Sequence, residues 1–175
     1  VYKRQKMGGG SGLTDFVSWK SSNSKIASVS DGKVTAKGVG RATITAYTTG
    51  GKNVKCTVTV KGKISDSSIS AIKTQSYTGK AVSPAPAVTY GGKKLVKNTD
   101  YTVSYSKNTA IGQASVKITG KGLYKGTKTV NFNIRPATVT KLKVSSTGEK
   151  SVKLSWKKVT GADSYAIYRL SLIHI

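Results

Sequence analysis

The residues able to do acid–base chemistry are few in this chain of 175 residues. Its six acidic residues fall singly at turns or strand edges: Asp15, Asp31, Asp66, Asp100, Glu149 and Asp163. Turn formation explains Asp31, Asp100 and Asp163, whereas a glycosidase needs two carboxylates that face one bond. The sequence therefore predicts that the chain is not an enzyme, with long-range pairing of carboxylates left open.

Metal and cofactor sites are not expected either. The single histidine, His174, lies in a terminal segment that we exclude from fold reasoning below, and no cluster of Asp or Asn residues has the spacing of a calcium loop. The many serines lack a base that would activate them. The glycines of KGVG (37–40) and GKG (120–122) precede no helical pattern, as a phosphate loop requires. We predict no cofactor.

Aromatic side chains are the remaining candidates for ligand contact. Trp19 and Trp156 share the apolar parity of their strand patterns, so we predict that both pack in cores. Tyr47 shares its parity with threonines, and Tyr124 lies in a Gly-rich turn, so we predict that both are exposed. Tyr47 and Tyr124 are the candidate ligand contacts, and stacking on sugar rings is the chemistry they could provide.

The chain is strongly basic, with 30 Lys and Arg residues and a formal net charge of +24. Such a charge is typical of nucleic-acid-binding proteins. Four of these residues are Arg, however, and the lysines are spread singly rather than in blocks. We therefore do not expect a nucleic-acid partner. Attraction to anionic cell-wall polymers or acidic glycans fits the same charge. No apolar run is long enough to span a membrane.

Cys56 is the only cysteine, so no internal disulfide can form. It shares its parity with Val54, Val58 and Val60. This alternation predicts a small buried hydrophobic residue rather than a reactive thiol.

Almost every segment has an apolar period of two, and Gly recurs about every eight to twelve residues, which is typical of all-β sandwiches. No window sustains an apolar pattern at helical spacing. We predict an all-β chain of tandem β-sandwich modules at residues 6–61, 63–135 and 137–169, and the resemblances given below imply that these modules are Ig-like. The first and third are predicted to be truncated. The stretch 100–134 has the clearest strand pattern.

The first unit resembles the bacterial Ig-like group 2 family. The residues that carry this resemblance are SWKSSNSKIASVSDGKVTAKGVGRATITAY (18–47) followed by KCTVTV (55–60). The one or two opening strands of the family are absent, and GGGSGLTD (8–15) stands in their place. Their loss would leave a sheet edge unpaired and part of the core face uncovered.

Two further resemblances follow along the chain. YTGKAVSP, TYGGKKL, the stretch 98–126 and TVNFNI resemble a small Ig-like repeat of gut Firmicutes surface proteins. ATVTKLKVSSTGEKSVKLSWKKVTGADSYAIYR (137–169) resembles the first three strands of a fibronectin type III domain. Residues 1–5 (VYKRQ) and 170–175 (LSLIHI) resemble translated adapter read-through at the ends of metagenomic fragments, so we exclude them as non-native ends.

These resemblances imply a non-catalytic segment of a secreted or cell-wall-attached bacterial protein. Such a stalk or adhesion segment would act as a spacer or bind cell-wall polymers, glycans or host surface proteins weakly and multivalently. Its other partners would be neighbouring modules of the same chain. The alternative is a set of accessory modules of a large secreted glycoside hydrolase or peptidase. A charge-driven nucleic-acid binder is the third hypothesis.

Overall fold

The computed structural model describes residues 17–148 and 151–168, and these residues are all-β, as predicted. Their arrangement is that of Ig-like β-sandwich modules. The chain divides into two compact units, Val1–Gly62 (unit 1) and Lys63–Ile175 (unit 2). Within the described ranges there is no α-helix, and so no helix that could cross a membrane.

The described residues of unit 1 contain five strands, and a sixth short strand lies at the boundary with unit 2. They are β1 (Ser18–Ser21), β2 (Ala27–Ser30), β3 (Lys33–Ala36), β4 (Gly40–Tyr47), β5 (Asn53–Val60) and β6 (Gly62–Lys63). β1, β4 and β5 form an antiparallel sheet in the order β1-β4-β5, whereas β2 and β3 form a separate hairpin.

The β2–β3 hairpin follows directly from its turn residues. Asp31 and Gly32 connect the two strands with φ angles of 48° and 75°. A two-residue turn with positive φ at both positions matches the right-handed twist of the flanking strands, and Asp-Gly is among the preferred pairs for it. The turn predicted at Asp31 is therefore confirmed, and it connects a hairpin.

The core of unit 1 lies at one end of the three-stranded sheet. Ala42 and Ile44 of β4 are buried against Ala27 of the hairpin. Ile26, Val29, Val58 and Val60 pack around these three residues while staying partly exposed. Ala42, Ile44 and the second half of β5 therefore lie under the hairpin, whose turn residue Gly32 lies beside the ring of Trp19.

Two predicted core residues of unit 1 are exposed instead. Trp19 has the predicted parity, in register with Ala46 and Val54, yet it is 39% exposed, and the hairpin meets its ring at Gly32, a residue without a side chain. Cys56 is also exposed. The predictions of a buried Trp19 and a buried Cys56 were wrong, because parity defines the face of a sheet but not whether another layer covers it.

Unit 2 begins with a 3₁₀ turn at Ile64–Asp66 and continues with ten strands. They are β7 (Ser68–Ile69), β8 (Gln75–Ser76), β9 (Val88–Tyr90), β10 (Lys93–Lys94), β11 (Tyr101–Ser106), β12 (Gly112–Gly120), β13 (Tyr124–Lys125), β14 (Thr127–Arg135), β15 (Lys143–Gly148) and β16 (Ser151–Ser155). The long strands β11, β12 and β14 lie in the stretch that has the clearest alternation in the sequence.

The main sheet of unit 2 has the order β11-β12-β14-β8, with β8 parallel to β14 and the other pairs antiparallel. Its inward row along β12 is Ala114, Val116 and Ile118, and all three are buried. Phe132 and Ile134 continue this buried row on β14. The predicted parity of β12 and of the end of β14 is confirmed, because these strands have a covering layer.

The covering layer comes from the chain before β11. Ile64, Val88 and Leu95 are buried there, and β9 is the central strand of a small sheet in the order β10-β9-β7. Further along the main sheet, Ile72 and Val82 pack against the cluster of Ala114, Phe132 and Ile134. Burying apolar side chains of this size contributes about 1.5–3 kcal/mol each, so this core is the main stabilising element of unit 2.

Residues 137–168 form less structure than the sequence predicts. β15 and β16 form a hairpin, but no strand forms at residues 162–168, where a third strand was expected. A strand needs a neighbour with a free edge, and no described strand pairs with this segment. The division of unit 2 into two modules stays a prediction.

Some predictions concern residues outside the described ranges. These residues are Asp15, Glu149, Arg169 and His174, together with the opening stretch GGGSGLTD and the two excluded ends, 1–5 and 170–175.

Candidate functional site

Three of the four acidic side chains among the described residues accept hydrogen bonds within local turns. Asp31 accepts a hydrogen bond from the Ser30 hydroxyl at 3.2 Å, and Asp66 accepts one from its own neighbouring serine. Asp100 accepts from the backbone N–H of Val96 at 2.9 Å. Each of these three carboxylates is thus used within a turn, as predicted for Asp31 and Asp100.

The described residues contain no cluster of side chains that could bind a metal ion. Within residues 17–148 and 151–168, no three His, Cys, Asp or Glu side chains lie close enough together to hold a metal ion. The chemistry that the described surface offers is therefore contact chemistry: aromatic faces, apolar clefts, lysines and free strand edges.

Tyr124 does not lie where the sequence predicts. It is 6% exposed, and its ring packs edge-on against Tyr90 with 5.4 Å between ring centroids. Its backbone N–H donates to the carbonyl of Lys121, which closes the Gly-rich turn inward. Burial raises the pKa of the Tyr124 hydroxyl, and the nearby Asp100 charge raises it further. The predicted exposure of Tyr124 was wrong, because the turn folds the ring over Tyr90.

Tyr47 lies at the end of β4 and is 36% exposed, as predicted. Its neighbours in register are Ser18 on β1 and Asn53 on β5. One aromatic ring flanked by two small polar side chains offers a flat surface for contact. The candidate contacts Tyr47 and Tyr124 lie in different units, so they are treated separately.

Trp156 is partly buried, in line with its expected packing role. Its ring lies 5.1 Å from that of Tyr165, centroid to centroid. The Tyr165 hydroxyl accepts a hydrogen bond from the backbone N–H of Val159 at 2.7 Å. These contacts hold the irregular segment 159–165 against the end of β16.

A cleft of about 500 Å³ lies beside this segment in unit 2. Its walls are mainly apolar and include Ile111, Pro136, Val139 and Val159, while Asp163 is its one charged lining residue. Ligand-binding pockets commonly fall in this size range and combine apolar walls with a few polar groups. The lining lacks a nucleophile with a base, so the cleft could hold an apolar group but offers no reaction chemistry.

Gly161 shapes one wall of this cleft. Its φ is +79°, and a Cβ at this position would lie 2.6 Å from both the Ile111 Cδ1 and the Tyr77 Cδ1 atoms. The close approach requires glycine for both steric and conformational reasons. The sequence does not predict the cleft, although Gly161, Ala162 and Pro136 are residue types typical of turns and linkers.

Comparison with known families gives one match. Residues 7–60 match the family of bacterial Ig-like domains, group 2. This is a non-catalytic family that is typical of bacterial surface or extracellular proteins. The match confirms the resemblance predicted for the first unit, whereas the resemblances of residues 63–135 and 137–169 stay predictions. A search of curated proteins found no match to the chain.

Proposed function

We propose that this chain is a non-catalytic spacer segment of a bacterial surface protein, which holds neighbouring modules apart. The observation that carries the proposal is the match of residues 7–60 to a family typical of such proteins. The chain continues into a second compact unit, Lys63–Ile175. A spacer requires that such units be joined without a long flexible linker, so the proposal includes a semi-rigid junction.

A distance measurement within the full chain tests the spacer function. Cys56 is the only cysteine and is exposed, so it accepts one spin label without substitution. Thr129→Cys on β14 supplies a second, exposed label in unit 2. The proposal predicts a narrow distribution of distances between the two labels. A distribution as broad as that of the denatured chain would contradict it.

A matched control measures how much the flexibility of the spin labels themselves broadens the distance distribution. Cys56→Ser combined with Ser104→Cys and Asn131→Cys places both labels on exposed positions of one sheet of unit 2. The width between Cys56 and Thr129→Cys should be close to the width of this internal pair. The control also shows whether unit 2 is folded, which separates a flexible junction from an unfolded unit.

Weak glycan binding is a second candidate function, and the exposed Tyr47 favours it. The ring is flanked by polar neighbours and belongs to a unit rich in lysine, which suits an acidic sugar polymer. A glycan array tests this function with the unmodified chain and Tyr47→Ala. Binding that is lost in Tyr47→Ala, but kept in a Tyr168→Ala control, supports it. Equal binding of all three proteins removes Tyr47 as a contact.

A further inference from the structure

Among the described residues of unit 1, the longest strand edge without a partner strand belongs to β5. β5 is the last strand in the order β1-β4-β5 and has eight residues. No strand among the described residues of unit 1 pairs with its outer edge. Such an edge presents N–H and C=O groups at every second residue, and these groups are a template for an added strand.

The inward row of this edge strand is only half covered. Val58 and Val60 are partly buried against the core of unit 1. Val54, on the same face of the strand, is 74% exposed, and Cys56 between Val54 and Val58 is exposed as well. Trp19 lies across the sheet in register with Val54, through Ala46. The free edge therefore adjoins an apolar surface that an added strand could bury.

The outward row of the sheet is basic. On β5, Lys55 lies opposite Thr45 of β4, which in turn lies opposite Lys20 of β1. Thr59 of β5 lies opposite Arg41 of β4. Residues 17–62 contain eight Lys and Arg residues and one acid, Asp31, which lies at the hairpin turn between β2 and β3. Opposite charges on neighbouring strands are favourable, whereas like charges directly opposite each other are destabilising.

We propose that the β5 edge binds an extended segment of a partner polypeptide in which apolar residues alternate with Asp or Glu. The apolar residues of the added strand would cover Val54 and Cys56, and its carboxylates would lie beside Lys55. A second copy of this chain fits poorly, because pairing two β5 edges would bring Lys55 close to the basic row of the other copy. The free edge gives affinity through main-chain hydrogen bonds, while the charge pattern selects the partner.

Synthetic peptides test this inference on the full chain. The probe is the peptide VEVDVEVE, titrated into isotope-labelled protein while backbone amide signals are followed by NMR. Saturable shifts centred on β5 are the expected result. The absence of binding, or shifts centred on unit 2, would overturn the proposal.

Two control peptides separate strand addition from simple charge attraction. A block peptide of the same composition, VVVVEEDE, keeps the charge but cannot present apolar and acidic residues to opposite faces. A basic alternating peptide, VKVKVKVK, keeps the pattern and reverses the charge. Both should bind much more weakly than VEVDVEVE. Equal binding of the block peptide, or of the basic peptide, would contradict the proposal.

Substitutions in the protein give an independent check. Lys55→Glu should weaken binding of VEVDVEVE by about threefold to tenfold, because a favourable cross-strand pair becomes a repulsive one. Lys117→Glu makes the same charge change on β12 of unit 2 and should leave affinity unchanged. Val54→Asp should weaken binding of VEVDVEVE, because it removes an apolar contact on β5. The dispersion of the backbone amide signals shows whether this variant is folded. Equal effects of Lys55→Glu and Lys117→Glu would refute a site on β5.

Discussion

The hydroxyl of Tyr105 donates a hydrogen bond of 2.6 Å to the carbonyl oxygen of Pro84. This contact joins the end of β11 to a segment of unit 2 that contains two prolines and forms no strand. Asn108 adds two bonds to the same segment: its side-chain amide donates to Val82 O, and its carbonyl accepts from Val82 N. Because proline has no N–H to donate, these bonds replace part of a strand ladder.

Tyr105→Phe should therefore destabilise unit 2 by about 1 kcal/mol, since the ring keeps its packing while Pro84 loses its donor. Urea unfolding of the full chain measures the difference. Tyr168→Phe is the matched control, because Tyr168 is almost fully exposed. Removing its hydroxyl should not change the midpoint of urea unfolding. Equal midpoints for both variants would show that the Tyr105 bond is not stabilising.

Alkaline pH should weaken unit 2. Burial raises the pKa of the Tyr101, Tyr105 and Tyr124 hydroxyls above the ordinary value of 10.0, and Asp100 adds to the effect at Tyr101 and Tyr124. Because the folded-state pKa exceeds the unfolded value, the unfolded chain loses these protons first as the pH rises. The contribution is complete below pH 10.0 and is lost as the pH passes through the raised values.

Thermal unfolding followed by circular dichroism measures this dependence. The melting temperature of the full chain should fall as the pH rises above 10.0. In Tyr124→Phe the fall should be shallower, because one of the three tyrosine hydroxyls with a raised pKa is gone. A slope unchanged in that variant would rule out Tyr124 as a source of the alkaline sensitivity.

Lys128 is a lysine with a structural role. Its Nζ donates to the carbonyl oxygens of Ser65, at 3.0 Å, and Ser67, at 2.6 Å. These carbonyls lie in and just after the 3₁₀ turn at Ile64–Asp66, so the ammonium group fastens this turn to β14. Charge-assisted hydrogen bonds of this kind contribute more than neutral ones.

Lys128→Met should cost about 1.5–3 kcal/mol of unfolding free energy, since both carbonyls lose their donor. Lys117→Met is the matched control, because Lys117 is exposed on the neighbouring strand β12. Denaturant titration of both variants gives the comparison. Similar losses of unfolding free energy in Lys128→Met and Lys117→Met would mean that hydrogen bonds to water replace the bonds from Lys128 at no cost in stability.

Two apolar positions of unit 1 test where its core ends. Ile44 is buried on β4, whereas Val54 is largely exposed on β5. Ile44→Ala should destabilise unit 1 by about 2–5 kcal/mol through lost burial and a cavity, whereas Val54→Ala should change stability by about 0.5 kcal/mol or less. Unfolding of the full chain, followed by the amide signals of unit 1, measures both. A large effect of Val54→Ala would mean that the open end of the sheet is covered.

The sequence predicts strands and their faces well but covering layers poorly. Alternation along β12 and β14 correctly identifies Ala114, Val116 and Phe132 as inward residues. The same reasoning places Trp19 and Cys56 inward, and there the face is right but both side chains stay exposed. Whether a second layer covers a face depends on contacts distant in sequence, which a period of two does not encode.

Turns also differ in how well the sequence predicts them. The Asp31 and Gly32 pair specifies a turn locally, so its prediction is confirmed. The turn that buries Tyr124 depends instead on a ring-to-ring contact with Tyr90, which is distant in sequence. The cleft near Gly161 likewise depends on Ile111 and Tyr77 meeting a glycine far along the chain. Local chemistry therefore predicts turns, whereas the shape of a site follows from packing.

An apolar row on β5 that is open to solvent in the native protein is the basis of the proposed peptide site. The reaction rate of Cys56 with a thiol reagent tests directly whether this row is open, because Cys56 is the only thiol in the chain. In native buffer we expect a rate within about tenfold of that measured in denaturant, since no opening step is needed. A native rate slower by roughly a thousandfold or more would show that Cys56 is buried, and would contradict the open edge.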